Sequence, residues 1–230
     1  MARNPPRRCA VIGAGVLGAS VAARLAAAGM NVTLLEQDQP GRATSRWSFA
    51  WLNSNDKGPR PYHDLNHAGI RAWAELAPGL DGTAWYRPAG HLELAATAGQ
   101  ADELAARVRR LTGWAYPAQL IDPGTAAALE PALRLPARPA AAAWFPDEGY
   151  LLTGPLIERL VTRAKEHGAT VLTGDQGRVT GIADGQVRTA AGADAAVDAD
   201  EIVCCAGRCT PQLADVAGAD PDSVPLIAWD

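Results

Sequence analysis

The chain has 230 residues, of which 48% are apolar and 20% are charged, which is typical of a soluble globular protein with a sizeable core. Its net charge of −4 argues against nucleic acid or an anionic membrane as a partner. No apolar run reaches the roughly 18 residues that a membrane span needs, so no span is predicted.

The first predicted elements form a β-α-β unit. An apolar strand over Cys9–Gly13 precedes an alanine-rich helix over Gly15–Ala28, which Gly29 ends. Asn31–Glu36 is a second strand, made of β-branched and leucine residues. The arginines before the first strand resemble the start of a secretory signal, but Arg24 interrupts the apolar run. A strand, a turn and a helix therefore describe this stretch better than a leader does.

A glycine-rich turn joins the first strand to the helix and matches the G-x-G-x-x-G pattern of dinucleotide-binding domains. Its residues are Gly13, Ala14, Gly15, Val16, Leu17 and Gly18. Gly13 would make the tight turn, Gly15 would let the backbone approach a pyrophosphate, and Gly18 would let helix and strand pack closely. The helix N-terminus would present N–H groups and partial positive charge to the phosphates. The alternative is a helix-rich domain with incidental glycines.

Polar residues that follow this unit extend the candidate site. Glu36 ends the second strand, where it can accept hydrogen bonds from ribose hydroxyls, and Gln37 follows it. An acid here would repel a 2′-phosphate, which disfavours NADP, but the fingerprint does not choose between NAD and FAD. The hydroxyls of Thr44 and Ser45 open a second helix and could reach the pyrophosphate from the other side. A plain helix cap is the alternative for this pair.

The rest of the chain alternates between helical and strand patterns. The predicted helices are Tyr62–Leu76, Ala101–Leu111, Asp122–Leu129 with Asp122 as its cap, Thr153–His167 with Thr153 as its cap, and one that begins near Pro211. The predicted strands are Tyr86–Leu94 as a strand or hairpin pair, Ala140–Phe145, Ala169–Thr173, Arg178–Ala183, Gln186–Ala190 and Glu201–Cys205. Asp184-Gly185 predicts a tight hairpin. The last strand is continuously apolar, which predicts burial on both faces.

The potential metal ligands do not form a convincing site. The four cysteines lack zinc-ligand spacing and a nearby histidine, so small buried side chains in a reducing cytoplasm are expected. They are Cys9, Cys204, Cys205 and Cys209. His63 and His67 are four residues apart on one helix face, but no third ligand accompanies them. We predict no metal site.

Four segments, in this order, resemble the D-amino acid oxidase family of FAD-dependent oxidoreductases, which includes glycine oxidase, sarcosine oxidase and D-amino acid dehydrogenases. They are VIGAGVLGASVAARLAAAG over 11–29, ATSRWSFAWLN over 43–53, DEGYLLTGPLIERLVTRAKEHGATVL over 147–172 and DEIVCCAGRCTPQL over 200–213. The resemblance places the backbone of Val179 against the adenine, and Ala206 and Gly207 close to the FAD phosphates. A buried strand valine and a strand-ending turn are the alternatives for these residues.

The resemblance implies an α/β fold, with a Rossmann-like FAD-binding domain into which an incomplete α+β substrate domain is inserted. Relatives usually continue well beyond this chain, so we expect a C-terminal truncation. The implied domains are 1–84 as the first FAD-binding segment, 85–146 as a partial substrate domain, 147–224 as the second FAD-binding segment, and 225–230 as the start of a missing substrate-domain segment.

One segment of the chain departs from the pattern of some relatives, which attach FAD covalently through a histidine in the stretch that matches Arg46–Trp51. This chain has no histidine there, which implies non-covalent FAD. Three large residues in the same region, Trp47, Phe49 and Trp51, could shield the flavin or belong to the core.

The resemblance implies an enzyme, an FAD-dependent oxidoreductase that oxidises the C–N bond of an amino acid or secondary amine by hydride transfer to the flavin. The alternatives are an NAD-dependent dehydrogenase and an inactive truncated remnant or subunit that needs a partner chain. No catalytic residue is identified, because the family's carboxylate-binding arginine or tyrosine would fall largely beyond this chain. We expect a cytoplasmic protein with a small-molecule substrate, self-association through the incomplete substrate domain, and little turnover by this chain alone.

Overall fold

The computed structural model describes residues 6–132 and 140–220. No helix in these two ranges is long and apolar enough to cross a membrane. The predicted segment 225–230 lies outside the described residues.

The chain divides into two compact units. The first unit comprises Met1–Ser48 and Leu152–Asp230, and the second comprises Phe49–Leu151. Residues 49–84, which the sequence assigns to the FAD-binding domain, group with the second unit. The division into FAD-binding and substrate domains remains a prediction.

The elements are numbered in chain order. The strands are β1 (Arg8–Ile12), β2 (Asn31–Glu36), β3 (Trp51–Leu52), β4 (Tyr86–Arg87), β5 (His91–Ala95), β6 (Gln119–Ile121), β7 (Ala141–Phe145), β8 (Gly149–Leu151), β9 (Thr170–Thr173), β10 (Val179–Ala183), β11 (Gln186–Thr189), β12 (Gly192–Asp198) and β13 (Glu201–Cys204). The helices are α1 (Val16–Ala27), α2 (Thr44–Trp47), α3 (Arg60–Leu76), α4 (Ala98–Gly113), α5 (Pro123–Leu129), α6 (Thr153–Glu166) and α7 (Thr210–Val216).

The first unit is built on a four-stranded parallel sheet in the order β13-β1-β2-β9. The register places Val11 of β1 between Leu34 of β2 and Val203 of β13. Helix α1 packs against α6, and its buried face is largely alanine, which lets two helices approach closely. The predicted α/β class and the β-α-β unit are therefore confirmed.

An antiparallel meander, β10-β11-β12, completes the first unit. Asp184 and Gly185 form the two-residue turn between β10 and β11, with φ angles of 51° and 74°, as the sequence predicts. Val187 of β11 is fully buried in one cluster with Ile12 and Leu35 of the parallel sheet. The meander therefore packs against the sheet that carries the glycine-rich turn.

The prediction that the last strand is buried on both faces is wrong. Among the described residues β13 pairs only with β1, so it lies at the edge of its sheet. Its apolar side chains are only partly buried, and Cys204 is exposed. Cys9 is the only one of the four cysteines that is buried, because it lies on the central strand β1.

The second unit contains two small antiparallel sheets, β5-β7-β6 and β3-β8-β4. Helix α4 covers the first of them, where Leu104, Val108 and Leu111 contact a cluster that includes Phe145. Thr97 begins this helix with a capping box in which the Gln100 side chain is the reciprocal partner. Helix and sheet therefore share one apolar core.

Two local predictions in the chain need correction, and one is confirmed. Tyr86–Leu94 is not a hairpin, because β4 pairs with β8 and β5 pairs with β7, and Gly90, with a φ of 74°, turns the chain between them. Thr153 does not cap α6: it is the first helical residue, and no side chain caps that helix. Asp122 caps α5 as predicted, since its carboxylate accepts hydrogen bonds from the N–H groups of Gly124 and Thr125.

Candidate functional site

The glycine-rich turn lies where β1 ends and α1 begins. Gly13 has a φ of 99°, and its N–H donates to the Leu35 carbonyl oxygen at 2.7 Å. A Cβ at this position would lie 2.5 Å from the carbonyl oxygen of Cys205. Glycine is therefore required here by both the backbone angle and the approach of the segment after β13.

The other two glycines of the turn allow backbone to approach backbone or a hydroxyl. A Cβ at Gly18 would lie 1.8 Å from the Gly13 carbonyl oxygen, which no side chain can tolerate. A Cβ at Gly15 would lie 3.1 Å from Ser45 Oγ. Gly15 is the N-cap residue of α1, and no side-chain hydrogen bond caps the helix from that position. The bare backbone of the turn is therefore the surface that a phosphate group would approach.

Ser45 lies directly at the N-terminus of α1. Its Oγ accepts a hydrogen bond from the Val16 N–H at 3.1 Å, which leaves the hydroxyl hydrogen for an anion. The alternative of a plain helix cap is wrong for this pair, because Ala43 occupies the N-cap of α2 and no side chain caps it. Thr44 is exposed at the start of the same helix.

Glu36 lies at the carboxyl end of β2, beside the turn. One carboxylate oxygen accepts from the Ala14 N–H at 2.8 Å, and the other accepts from the Asp38 N–H at 3.1 Å. A carboxylate has about four lone-pair positions, so two remain for hydroxyl donors. The side chain is thus held in place and is still able to bind a ribose. Gln37, the next residue, is exposed.

Gly177 is a residue of this site that the sequence analysis missed. A Cβ there would lie 2.3 Å from the Leu172 carbonyl oxygen and 2.4 Å from the Glu36 carbonyl oxygen. The available signal was its position two residues before Val179, at the end of a polar loop. Val179 is partly buried and packs against the core cluster of the first unit. Its predicted contact with adenine remains a prediction.

The segment after β13 closes the other side of the turn. The Cys205 N–H donates to the Ile12 carbonyl oxygen at 2.7 Å, and Ala206 Cα lies 3.0 Å from the position of a Cβ on Gly13. Burial raises the pKa of the Cys205 thiol, and the neighbouring thiols of Cys204 and Cys9 raise it further, so it stays protonated. Gly207 is exposed, with a φ of 56°. The structure therefore brings Gly13, Ser45, Glu36 and Ala206 together at the carboxyl ends of the parallel strands.

Three large residues that follow Ser45 in the chain are not core residues. Trp47, Phe49 and Trp51 are 80%, 81% and 38% exposed. The sequence left the core and a flavin shield as alternatives, and the core interpretation is wrong. Their exposure has no packing explanation among the described residues.

The second unit contains a buried polar centre around Glu148, which the sequence analysis did not identify. Its carboxylate is fully buried and accepts from the Ser54 N–H at 2.9 Å, the Asn55 N–H at 3.0 Å and the Tyr116 hydroxyl at 2.6 Å. The Asn55 side-chain amide donates at 2.8 Å, and Nδ1 of His91 lies 3.2 Å away. Sequence distance hid this centre, since Glu148 and its partners come from four separate segments.

The hydrogen bonds decide the charge of Glu148. Burial by itself raises the pKa of this carboxyl, but the bonds from His91, Tyr116, Ser54 and Asn55 outweigh it and hold the pKa below its ordinary value. Burial and the bond to Glu148 both raise the pKa of Tyr116, so the phenol remains a donor. Glu148 is therefore an anion enclosed by donors.

His63 lies near this centre, on the same helix as His67. It is fully buried, and its Nδ1 lies 2.9 Å from Ser54 Oγ. Over the described ranges, no group of three or more histidine, cysteine, aspartate or glutamate side chains is placed to hold a metal ion. The spacing of His63 and His67 thus reflects packing around the aromatic ring of Tyr116.

Comparison with known proteins agrees with the geometry of the turn. The family model described as DAO, FAD dependent oxidoreductase, matches residues 8–228. The 4-methylaminobutanoate oxidase (formaldehyde-forming) of Paenarthrobacter nicotinovorans is 39% identical over 100 residues, which are 42% of this chain and 12% of that protein.

Solved structures share the fold. Glycine oxidase from Bacillus cereus ATCC 14579 superposes with a TM-score of 0.78 at 20% identity, over 91% of this chain and 57% of that one. Iminodiacetate oxidase (IdaA) from Chelativorans sp. BNC1 superposes with a TM-score of 0.75 at 26% identity, with the same 91% and 57% coverage. The chain thus spans little more than half the length of these solved proteins.

Proposed function

Because the chain belongs to the DAO family of FAD dependent oxidoreductases, its cofactor is FAD, and we propose that the turn after β1 binds the ADP half of that FAD without a covalent bond. The observation that supports this is the convergence of a glycine-rich turn, the Ser45 hydroxyl and the Glu36 carboxylate at one helix N-terminus. At Gly15, the N-cap of α1, the absence of a Cβ lets a pyrophosphate approach the helix N-terminus beside Ser45.

Each group has a separate role in this proposal. The N–H groups in the first turn of α1 that follow Val16 and the hydroxyl of Ser45 bind the pyrophosphate, and Glu36 accepts hydrogen bonds from the adenosine ribose. The Ala206-Gly207 turn supports the phosphates, and the Val179 backbone lies against the adenine. Thr44 and Gln37 are secondary members of the same site. Gly177 contributes indirectly, because it lets the chain pass close to Glu36.

We also propose that the protein oxidises the C–N bond of an amino acid or a secondary amine. Support comes from the names of its relatives, which are oxidases of glycine, iminodiacetate and 4-methylaminobutanoate. When bound, the flavin supplies hydride acceptance from a C–H beside nitrogen. The protein's part is to bind and orient the amine and to exclude water.

Three further features are proposals. A cytoplasmic location is supported by the four free cysteines, which suit a reducing compartment. Self-association through the second unit is supported by exposed apolar residues there, such as Leu65 at 70% and Leu120 at 49%. Sedimentation velocity over a range of protein concentrations would test it. The assignment of residues 85–146 to a partial substrate domain is kept on the family resemblance.

Acid precipitation of the purified protein tests the cofactor proposal. Non-covalent FAD should pass entirely into the supernatant, because no histidine lies within Arg46–Trp51 to hold it. Colour that stays in the pellet would contradict non-covalent binding. A folded, colourless protein that takes up NAD instead would contradict the use of FAD. Anaerobic bleaching of the bound flavin by sarcosine, glycine or a D-amino acid would then test the activity.

A further inference from the structure

The second unit contains a cavity of about 320 Å³, lined by Phe49, Trp51, Gly90, His91, Gly149 and Tyr150. This volume suits a small organic molecule. Three of its wall residues are aromatic and unusually exposed, since Phe49 is 81%, Trp51 38% and Tyr150 41% accessible. Aromatic side chains held at a surface in this way indicate a binding role, because burial would otherwise be favoured.

The walls of the cavity are built on constrained backbone. Trp51 and Tyr150 are directly opposite each other in the β3–β8 pair, so their side chains share one face of that sheet. A Cβ on Gly149 would lie 2.1 Å from the Arg87 carbonyl oxygen, and one on Gly90 would lie 1.9 Å from the Trp144 ring. Neither glycine can therefore carry a side chain that would fill the space.

His91 is the imidazole in this wall, and its ring is fixed on three sides. It stacks on Phe145 at a centroid distance of 5.4 Å and meets the edge of Trp51 at 4.7 Å. Its Nδ1 lies 3.2 Å from the buried carboxylate of Glu148 and 3.1 Å from the side-chain nitrogen of Asn55. The ring therefore cannot turn without losing these contacts.

The proton on His91 belongs on Nδ1. A hydrogen bond to an anionic acceptor is about twice as strong as one between neutral groups, so donation to Glu148 outweighs acceptance from the Asn55 amide. With Nδ1 occupied, Nε2 is left with a lone pair and no hydrogen-bond partner among the described residues. The cavity wall thus offers a hydrogen-bond acceptor with a negative charge behind it.

We propose that this cavity binds the protonated amine of the substrate and that His91 accepts its proton. The aromatic faces and the charge of Glu148 attract a cation, and Nε2 accepts a hydrogen bond from its N–H. One N–H bond of the ammonium breaks and one forms at Nε2, so the positive charge moves to the imidazole beside Glu148. The product is a neutral amine, whose nitrogen lone pair can assist removal of hydride from the neighbouring carbon. This inference rests on the proposed amine substrate.

Two matched cations test the proposal by calorimetric titration of the FAD-loaded chain. Benzylamine carries N–H donors at neutral pH, whereas benzyltrimethylammonium has the same ring and charge but no N–H. The variant His91→Phe keeps a ring against Phe145 and removes both nitrogens. This variant should weaken the binding of benzylamine roughly tenfold or more, and it should change the affinity for benzyltrimethylammonium by no more than about twofold. Trp51→Leu should weaken the binding of both cations roughly threefold, because it removes an aromatic face.

The controls separate this idea from a structural role and from the cofactor proposal. If His91→Phe does not fold, His91→Gln takes its place. His167→Gln changes an exposed residue outside the cavity and should leave the affinity for both cations unchanged. If the His91 variants lose affinity for both cations equally, the cavity has simply collapsed, and this result would overturn the proposal. Unchanged binding of both, or no binding of benzylamine to the unmodified chain, would also overturn it. The FAD content of each preparation reports separately on the cofactor site, and the titrations can be repeated on flavin-free protein.

Discussion

The Glu36 carboxylate accepts a hydrogen bond from the Ala14 backbone N–H at 2.8 Å, so the acidic end of β2 is anchored to the glycine-rich turn. This bond uses one lone pair of one oxygen and leaves others for a ribose. Glu36 therefore holds the turn in place, and ribose binding is its second, proposed role. A substitution that preserves the bond to the turn and weakens the proposed ribose binding can separate these two roles.

We expect Glu36→Ala to weaken FAD binding by roughly 1–3 kcal/mol, because ribose hydroxyls and the Ala14 N–H both lose their acceptor. Glu36→Gln should cost less, since its amide oxygen can still accept one of these bonds. Fluorescence titration of flavin-free protein with FAD measures both. Asp38→Asn is the matched control and should leave the affinity unchanged. If neither Glu36 variant differs from the unmodified protein, the ribose assignment is wrong.

Ser45→Ala should weaken FAD binding by about 1 kcal/mol, whereas Thr44→Ala should have a smaller effect. The structure motivates the difference, because the Ser45 hydroxyl bonds to Val16 N–H at the helix N-terminus and Thr44 is exposed. The same flavin titration compares the two variants. An equal effect, or a larger one for Thr44, would mean that the hydroxyls meet the phosphates in another arrangement.

Gly18→Ala should destabilise the protein by about 3 kcal/mol and abolish flavin retention, because the new Cβ would overlap the Gly13 carbonyl oxygen. Gly154→Ala is the matched control. That glycine is also helical, and no atom beyond its chain neighbours and the adjacent helix backbone lies within 4 Å of its Cβ position. Alanine there should therefore be neutral or stabilise the protein by up to about 1 kcal/mol. Urea unfolding followed by circular dichroism gives both free energies. A stable, yellow Gly18→Ala protein would contradict the close packing of the turn.

Glu148→Gln should lower the free energy of unfolding by about 3 kcal/mol at neutral pH, since it replaces a buried anion that accepts several hydrogen bonds. Asp147→Asn removes the neighbouring exposed carboxylate and should change the free energy of unfolding by no more than about 0.5 kcal/mol. Urea unfolding of both variants beside the unmodified protein makes the comparison.

The difference in stability between the unmodified protein and Glu148→Gln should depend on pH. The pKa of Glu148 is below its ordinary value in the folded state, so its contribution is complete above the unfolded pKa of about 4.3 and is lost as the pH falls through the folded pKa. The difference in unfolding free energy between the unmodified protein and Glu148→Gln should therefore be constant near neutrality and shrink below about pH 4. A difference that grows on acidification would mean that Glu148 is protonated in the folded protein.

Local patterns were enough to predict the parts of this protein whose partners are close in sequence. The β-α-β unit, the glycine-rich turn, the Asp122 cap and the Asp184-Gly185 hairpin each depend on residues within at most three consecutive elements. Their residue types restrict the backbone directly, through permitted φ angles, a side-chain acceptor or a hydrophobic period. The family resemblance rested on four segments, of which the first contains the glycine-rich turn, and the match over residues 8–228 confirms it.

Contacts between distant segments could not be derived in this way. Burial of β13 depends on whether a second strand pairs with it, and the meeting of Cys205 with Gly13 depends on how the parallel sheet orders its strands. Glu148 looks like an ordinary loop acid in the sequence, yet it is fully buried. It becomes a buried anion because the fold surrounds it with donors from Ser54, Tyr116 and His91, and no periodicity or spacing records that enclosure.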